Sequence, residues 1–180
     1  MILDLDRRGI RLAGLGQPVH FDIDADGIPE LMSWTAEDED DAFLALDRNA
    51  NGLIDDGSEL FGNATLLANG SRAANGYLAL ADFDDPANGG NGDGQISAAD
   101  VIYLGLVLWT DSNHNGISET GELAPLADAG VTRINLDYTR SNRADRHGNE
   151  FRFRGTAWRL GPWGGERAIP TWDVFFTLAK

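Results

Sequence analysis

The sequence predicts an α+β fold, with tandem acidic loops on short helices followed by a C-terminal antiparallel sheet. Two observations carry this. Within residues 1–130, short oxygen-bearing side chains recur at alternating positions ahead of a single glycine, four times over. From residue 131 the period changes to two, apolar against polar, which is the signature of half-buried strands. The chain therefore reads as one module over 1–180, a loop-and-helix region at 1–130 and a strand-rich part at 131–180.

The most complete loop is "DSNHNGISETGE", residues 111–122. Asp111, Asn113 and Asn115 occupy positions 1, 3 and 5, Gly116 position 6, Glu119 position 9 and Glu122 position 12. This is EF-hand ligand spacing, suited to calcium, a hard cation that takes about six to eight oxygens. The glycine permits the sharp turn around the ion. The apolar residue that ordinarily pairs two such loops stands at position 7, Ile117, with Ser118 at position 8, so an unusual pairing is expected.

Imperfect copies lie upstream. "DRNANGLIDDGSE" sets Asp47, Asn49, Asn51, Gly52 and Asp55 at positions 1, 3, 5, 6 and 9, but position 12 is Ser58 and the acid follows at Glu59. Either the loop is one residue longer, or Asp55 and water replace the closing glutamate. "GGNGDGQISAAD" puts Asn91, Asp93, Gly94, Ser97 and Asp100 in register but has Gly89 at position 1. The preceding "DFDDPAN" reads as an insertion that returns Asp84 or Asp85 to the missing place. "DIDADGIPE" supplies Asp22, Asp24, Asp26, Gly27 and Glu30, and resembles the shorter DxDxDGxxE calcium loops as much as an EF-hand. A fifth copy, "DLDRRG" at 4–9, is degenerate, since Arg8 stands where a ligand oxygen is required. Together these loops lead us to expect about three to four calcium ions.

Composition agrees. The formal charge is −15, from 29 acidic and 14 basic residues, and much of the excess lies in these loops. Left unneutralised, the carboxylates repel one another and oppose compaction. The same balance argues against a nucleic-acid partner, which needs clustered Lys and Arg. "RSNRADRHGNEFRFR" alternates its basic residues with acids and aromatics and reads as a solvated strand face. Without Cys, calcium is left to do the stapling that disulfides perform in many secreted proteins. No apolar run of membrane-spanning length occurs, and the expected state is a monomer. "MILDLD" opens in a strand-like pattern, as if the chain began inside a longer protein.

For the connecting elements, Ser97 with Asp100 three residues on resembles a capping box ahead of "AADVIYLGLVLW", which predicts one helix joining the third loop to the fourth. "LAPLADAG" reads as a short helix ending at Gly130, and further helices are expected at "NGYLALADF" and "DDAFLAL". Strands are expected in "VTRINLDY", "NEFRFRGTAW" and "TWDVFFTL".

The run "LALDRNANGLIDDGSELFGNATLLANGSRAANGYLALADFD", then "NGDGQISAADVIYLGLVLWTDSNHNGISETGEL", then "LADAGVTRINLDYTRSN", resembles the calcium-dependent self-processing module of iron-regulated RTX proteins, in order from about Ile2 to Asn142. The resemblance implies a module of an exported bacterial protein, outside the cell or on its surface behind upstream domains, disordered until calcium folds it. It further implies cleavage of an Asp-Pro bond at the module's N-terminal border, the new aspartyl anhydride being open to capture by a lysine amine. Chemically, an aspartyl carboxyl can attack its own backbone carbonyl once the departing proline nitrogen is protonated. The module has only to orient the carboxyl and supply a proton. The family junction falls immediately before residue 1, where this chain has Met1. The chain as written is thus the cleaved product, a piece cut there, or a relative that never cleaves. Asp85-Pro86 lies in the third-loop insertion and reads as a turn.

No residue is assigned a catalytic role. His20, His114 and His147 form no metal spacing, and Trp158, Trp163 and Trp172 read as core packing rather than a ligand surface. No carboxylate pair stands apart from the loops for glycoside hydrolysis. The competing reading is a dockerin-like protein- or carbohydrate-binding module without catalysis, which would expose an apolar helix face once loaded with calcium.

Overall fold

A computed structural model describes residues 1–37 and 39–179. It is mostly β, which overturns the expected class of helix-borne tandem loops followed by a separate sheet. Among the described residues, nine strands build one antiparallel sheet. Its order is β5 (Gln95–Ser97), β8 (Val131–Asn135), β10 (Glu150–Leu160), β11 (Glu166–Phe175), β1 (Ile2–Leu3), β4 (Ala42–Leu46), β6 (Leu106–Trp109) and β7 (Leu123–Pro125), with β9 (Thr139–Ala144) against β10. β2 (Val19–Phe21) and β3 (Glu30–Met32) form a separate ribbon. The short β1 lies in the middle of the sheet, Ile2 opposite Trp172 and Phe43, Leu3 opposite Thr171 and Ala42. Strands from both ends of the sequence are therefore interleaved.

Three segments expected as helices are not helical. "DDAFLAL" forms β4, "AADVIYLGLVLW" makes a 3-10 turn at Val101–Gly105 that runs into β6, and "LAPLADAG" gives β7 and then turns. "NGYLALADF" does form a helix, α1 (Gly76–Asp84). The cause of the misreading is burial on both faces. In β4, Ala42 and Leu44 face a core beneath α1, whereas Phe43 and Ala45 face a second core beneath the β2–β3 ribbon. In β6, Leu106 and Leu108 enter the first core and Trp109 the second. A short strand covered on both sides is apolar throughout, and its period cannot distinguish it from a buried helix. Nor do Ser97 and Asp100 cap a helix: Asp100 accepts the Ser97 N–H at 2.8 Å, and its side chain bonds no N–H of the turn that follows.

α1 begins at Asn75, whose Oδ1 accepts the Leu78 N–H at 2.9 Å. Tyr77 seats the helix on the sheet by donating its hydroxyl to the Thr171 carbonyl at 3.0 Å. The second core is aromatic and centres on the fully buried Trp34, whose ring lies 5.1 Å from Phe21, 4.5 Å from Phe43, 5.6 Å from Trp109 and 5.4 Å from Phe176 between centroids. This cluster joins the ribbon, the sheet and the C-terminal segment. We expect Trp34→Ala to cost about 3–5 kcal/mol and Trp34→Phe clearly less, measured by urea unfolding. A loss under about 1 kcal/mol for the alanine variant would show that stability does not reside in this core.

Candidate metal centre

Loop one, residues 22–30, joins β2 to β3. Asp22 accepts the Asp26 N–H on Oδ1 at 3.0 Å and the Gly27 N–H on Oδ2 at 2.8 Å. Glu30 reaches back to accept the Ile23 N–H at 3.0 Å. Ala25 and Gly27, with φ of 55° and 90°, reverse the chain between them. Asp22, Asp24, Asp26 and Glu30 thereby bring one carboxylate oxygen each within 4.8 Å of the others. Oxygens held ~2.4 Å from a calcium ion stand at most about 5 Å apart, so these four fit a single ion. Without a cation, carboxylates so close repel one another.

The same pairing organises the other loops. Asp47 accepts the N–H groups of Asn51 and Gly52 at 3.2 and 2.8 Å, and Asp111 those of Asn115 and Gly116 at 3.1 and 2.8 Å. Asp84 accepts those of Asp93 and Gly94 at 3.2 and 2.9 Å. One acid closes each far end. Glu122 accepts from Ser112 and Glu119 at 3.0 and 3.2 Å, Glu59 from Arg48 and Asp55 at 2.9 and 2.8 Å, and Asp100 from Asn91 and Ser97 at 3.1 and 2.8 Å. Of the alternatives the sequence left open, the second loop is the longer one, closed by Glu59, while Ser58 donates its N–H to Asp56. In the third, Asp84 heads the loop from the end of α1, whereas Asp85 accepts the Ala87 N–H at 2.8 Å and caps the 3-10 turn Pro86–Asn88. Amides fill out the sets: Asn49 and Asn51 donate to Asp55 at 3.0 and 2.7 Å, and Asn113 to Glu119 at 2.5 Å.

Loops two and four meet through a side chain in place of a backbone ladder. The Ser118 hydroxyl accepts the Ile54 N–H at 2.7 Å and donates to the Ile54 carbonyl at 3.3 Å, while Ile117 points to solvent. His114 ties loop four to the rest of the fold, its ring nitrogens 2.6 Å from the Thr35 carbonyl and 2.8 Å from that of Gln17. The degenerate fifth loop keeps the path, with Asp4 accepting the Gly9 N–H at 3.0 Å and Arg7 and Gly9 at φ 68° and 91°. There the Arg8 guanidinium pairs with Asp6 at 2.8 Å, a charge built into the chain.

A cavity of about 290 Å³ opens at the start of β1. Ile23 and Asp24 of loop one, Gly57 of loop two, Phe61 just after it, and Asp173 of β11 line it beside Met1. Gly57 donates its N–H to the Asp22 carbonyl at 2.7 Å, and a Cβ at Gly57 would fall 1.9 Å from the Ile23 carbonyl oxygen. Loops one and two are thus locked together at this wall. Sequence reasoning missed the cavity, because strand pairing between distant residues assembles it and no local motif marks it.

Comparison with known proteins places the chain. A family model described as the SPM domain matches residues 1–162. The chain is also 40% identical over 158 residues to the iron-regulated protein FrpA of Neisseria meningitidis serogroup C, a match covering 87% of this chain and 14% of that protein. The chain therefore spans only a small part of the relative's length. Among the described residues, no helix is long and apolar enough to cross a membrane.

Two expected outcomes follow from the loop geometry. Asp84→Asn should raise the calcium concentration at the folding midpoint several-fold and Asp85→Asn leave it unchanged, as read by near-UV CD titration. Equal midpoints for the two variants would remove Asp84 from the head of the loop. The second concerns Asp41, which accepts the Arg11 N–H at 2.8 Å and whose carboxyl is pushed up to about 7 by burial. Because the folded state holds this proton more tightly than the unfolded chain, the penalty is absent below the ordinary carboxylate range and grows as pH rises to about 7. Asp41→Asn should therefore stabilise the protein by on the order of 1–3 kcal/mol at pH 8 and by almost nothing near pH 4. Paired denaturation curves at the two pH values check the sign.

Proposed function

The chain belongs to the SPM domain family, and from that premise we propose that it is a calcium-folded self-processing module of an exported, iron-regulated RTX-type protein, acting on an Asp-Pro bond immediately ahead of residue 1. The observation that carries the reading is where residue 1 lies. β1 is held in the middle of the sheet, and the cavity at its start is walled by loops one and two. An upstream junction would enter a site whose wall exists only when those loops are folded.

Calcium would be held by Asp22, Asp24, Asp26 and Glu30, and by the sets headed by Asp47, Asp84 and Asp111. Bound there, it supplies positive charge that cancels the repulsion among these carboxylates. A site at ~100 times its Kd gains roughly 2.7 kcal/mol, so a few such sites outweigh a typical domain's margin of about 5–15 kcal/mol. Free calcium is scarce inside a cell and near-millimolar outside, which suits weak extracellular sites. On this reading the module stays unfolded behind its upstream domains until it leaves the cell. The dockerin-like alternative draws no support from α1, which turns Tyr77, Ala79 and Leu80 onto the sheet.

The test fuses a small carrier to residue 1 through an Asp-Pro junction, adds calcium and follows the products by intact mass. Carrier release that EDTA blocks is the expected result. A fusion that folds with calcium yet stays whole would refute self-cleavage for this chain.

A further inference from the structure

One ionisable side chain faces the start of β1 from within the sheet. Ile2 lies opposite Trp172 and Leu3 opposite Thr171, so the register carries residue 1 opposite Asp173 and a residue ahead of it opposite Val174. Opposite residues of an antiparallel pair project from the same face, with Cβ atoms about 5 Å apart. Asp173 is 2% exposed and lines the cavity beside Met1. Its Oδ2 accepts the Gly76 N–H, at the head of α1, at 2.9 Å, and among the described residues its Oδ1 accepts no hydrogen bond. Asp24, the other acid on the cavity, belongs to the carboxylate set of loop one. Asp173 also lies beyond residue 162, where the family match ends.

Burial pushes the Asp173 carboxyl up, opposed first by the Met1 ammonium, then by the Gly76 N–H and the Arg152 guanidinium. In a chain that continues upstream, residue 1 carries an amide, so the opposing ammonium is gone and the carboxyl is pushed up further. The anion left after proton donation is still stabilised by the Gly76 N–H, the N-terminus of α1 and the Arg152 charge. A buried acid whose carboxyl is pushed up by burial and whose conjugate base still has stabilising partners has the properties of a general acid.

We propose that Asp173 is the proton donor to the nitrogen that departs when the bond ahead of residue 1 is cut, a role that rests on the self-cleavage reading above. The carboxylate of the upstream aspartate attacks its own main-chain carbonyl carbon, forming a C–O bond. The C–N bond to proline breaks, and the nitrogen takes the Asp173 proton to leave as a neutral secondary amine. The upstream fragment ends in a cyclic anhydride, the negative charge passes to Asp173, and water restores the proton there.

The carrier fusion provides the test. Asp173→Asn keeps an acceptor for Gly76 but has no acidic proton. The expected result is a parent-like near-UV CD spectrum at saturating calcium with cleavage slowed about 10²–10⁴-fold. A folded Asp173→Asn fusion that cleaves at the parent rate overturns the assignment. Should the variant fail to fold, the pH profile of the parent fusion decides, since calcium loading weakens on the acid side and leaves the alkaline limb to the proton donor. That limb must fall as the carboxyl ionises, and a rate that keeps rising across the whole alkaline range in which near-UV CD shows the fold intact overturns the proposal. Among the described residues, the charged and titratable groups that face Asp173 are Arg152 from β10, Tyr77 from α1 and, across the cavity, Asp24 of loop one. The first keeps its charge throughout, and burial pushes the second still higher, so neither titrates in that window. A parent fusion that stays whole refutes the self-cleavage reading itself, whereas a cleaving parent with an equally fast Asp173→Asn variant refutes only the donor.

Discussion

The carboxylate at the head of each loop is the constraint on which the fold depends. Asp22, Asp47, Asp84 and Asp111 each accept at least two successive N–H groups from the turn they open, so each fixes a reversal of the chain. The same geometry draws further acids and amides toward one point. Loop formation and charge concentration are therefore one event, and a chain of formal charge −15 cannot complete it four times without meeting its own repulsion. Where the repulsion is met within the chain, as by Arg8 against Asp6, the loop keeps its path with an internal cation.

Loops one and four lie between strands, loops two and three on either side of α1, and the sheet is covered on both sides. α1 closes one face with Tyr77 and Leu80, and the β2–β3 ribbon closes the other around Trp34. Since loop one is itself the turn of that ribbon, the aromatic core and the first acid cluster share their strands. Loss of order in residues 22–30 would loosen Phe21 and Met32 from Trp34, which couples the acid clusters to the core by direct packing.

Local signals were legible, and long-range ones were not. Positions 1, 3, 5 and 6 of the loops could be read from spacing because turn geometry acts over a handful of residues. The closing acid could not, since whether Ser58 or Glu59 turns inward depends on how the exit strand leaves, and whether Asp84 or Asp85 heads the third loop depends on where α1 stops. The alternation from Phe151 to Arg154 shows a strand because Arg152 and Arg154 face solvent, whereas in β11 Trp172 and Asp173 are both buried and the alternation is one of polarity alone. Phe43 to Leu46 and Leu106 to Trp109 read as helix in the sequence because both faces are covered, which erases the period. Asp173 gave no signal at all: its environment is made by Met1, Gly76 and Arg152, which are far apart in sequence.

The arrangement of charge around β1 is uneven, and that has a consequence for control. The loop that follows β1 directly, residues 4–9, carries its own guanidinium, that of Arg8 against Asp6. The opposite wall of the cavity, from Ile23 and Asp24 to Gly57, is built from loops one and two, and among the described residues the four carboxylates of loop one form no ion pair. At Gly57, backbone contact with residues 22 and 23 leaves no space even for a methyl group, so the wall closes only when both loops hold their shape. On the proposed reading, β1 is set by the protein alone and the chamber beside it by calcium. Cleavage would then be gated by the wall, while the reacting strand and the acid on β11 stay in place.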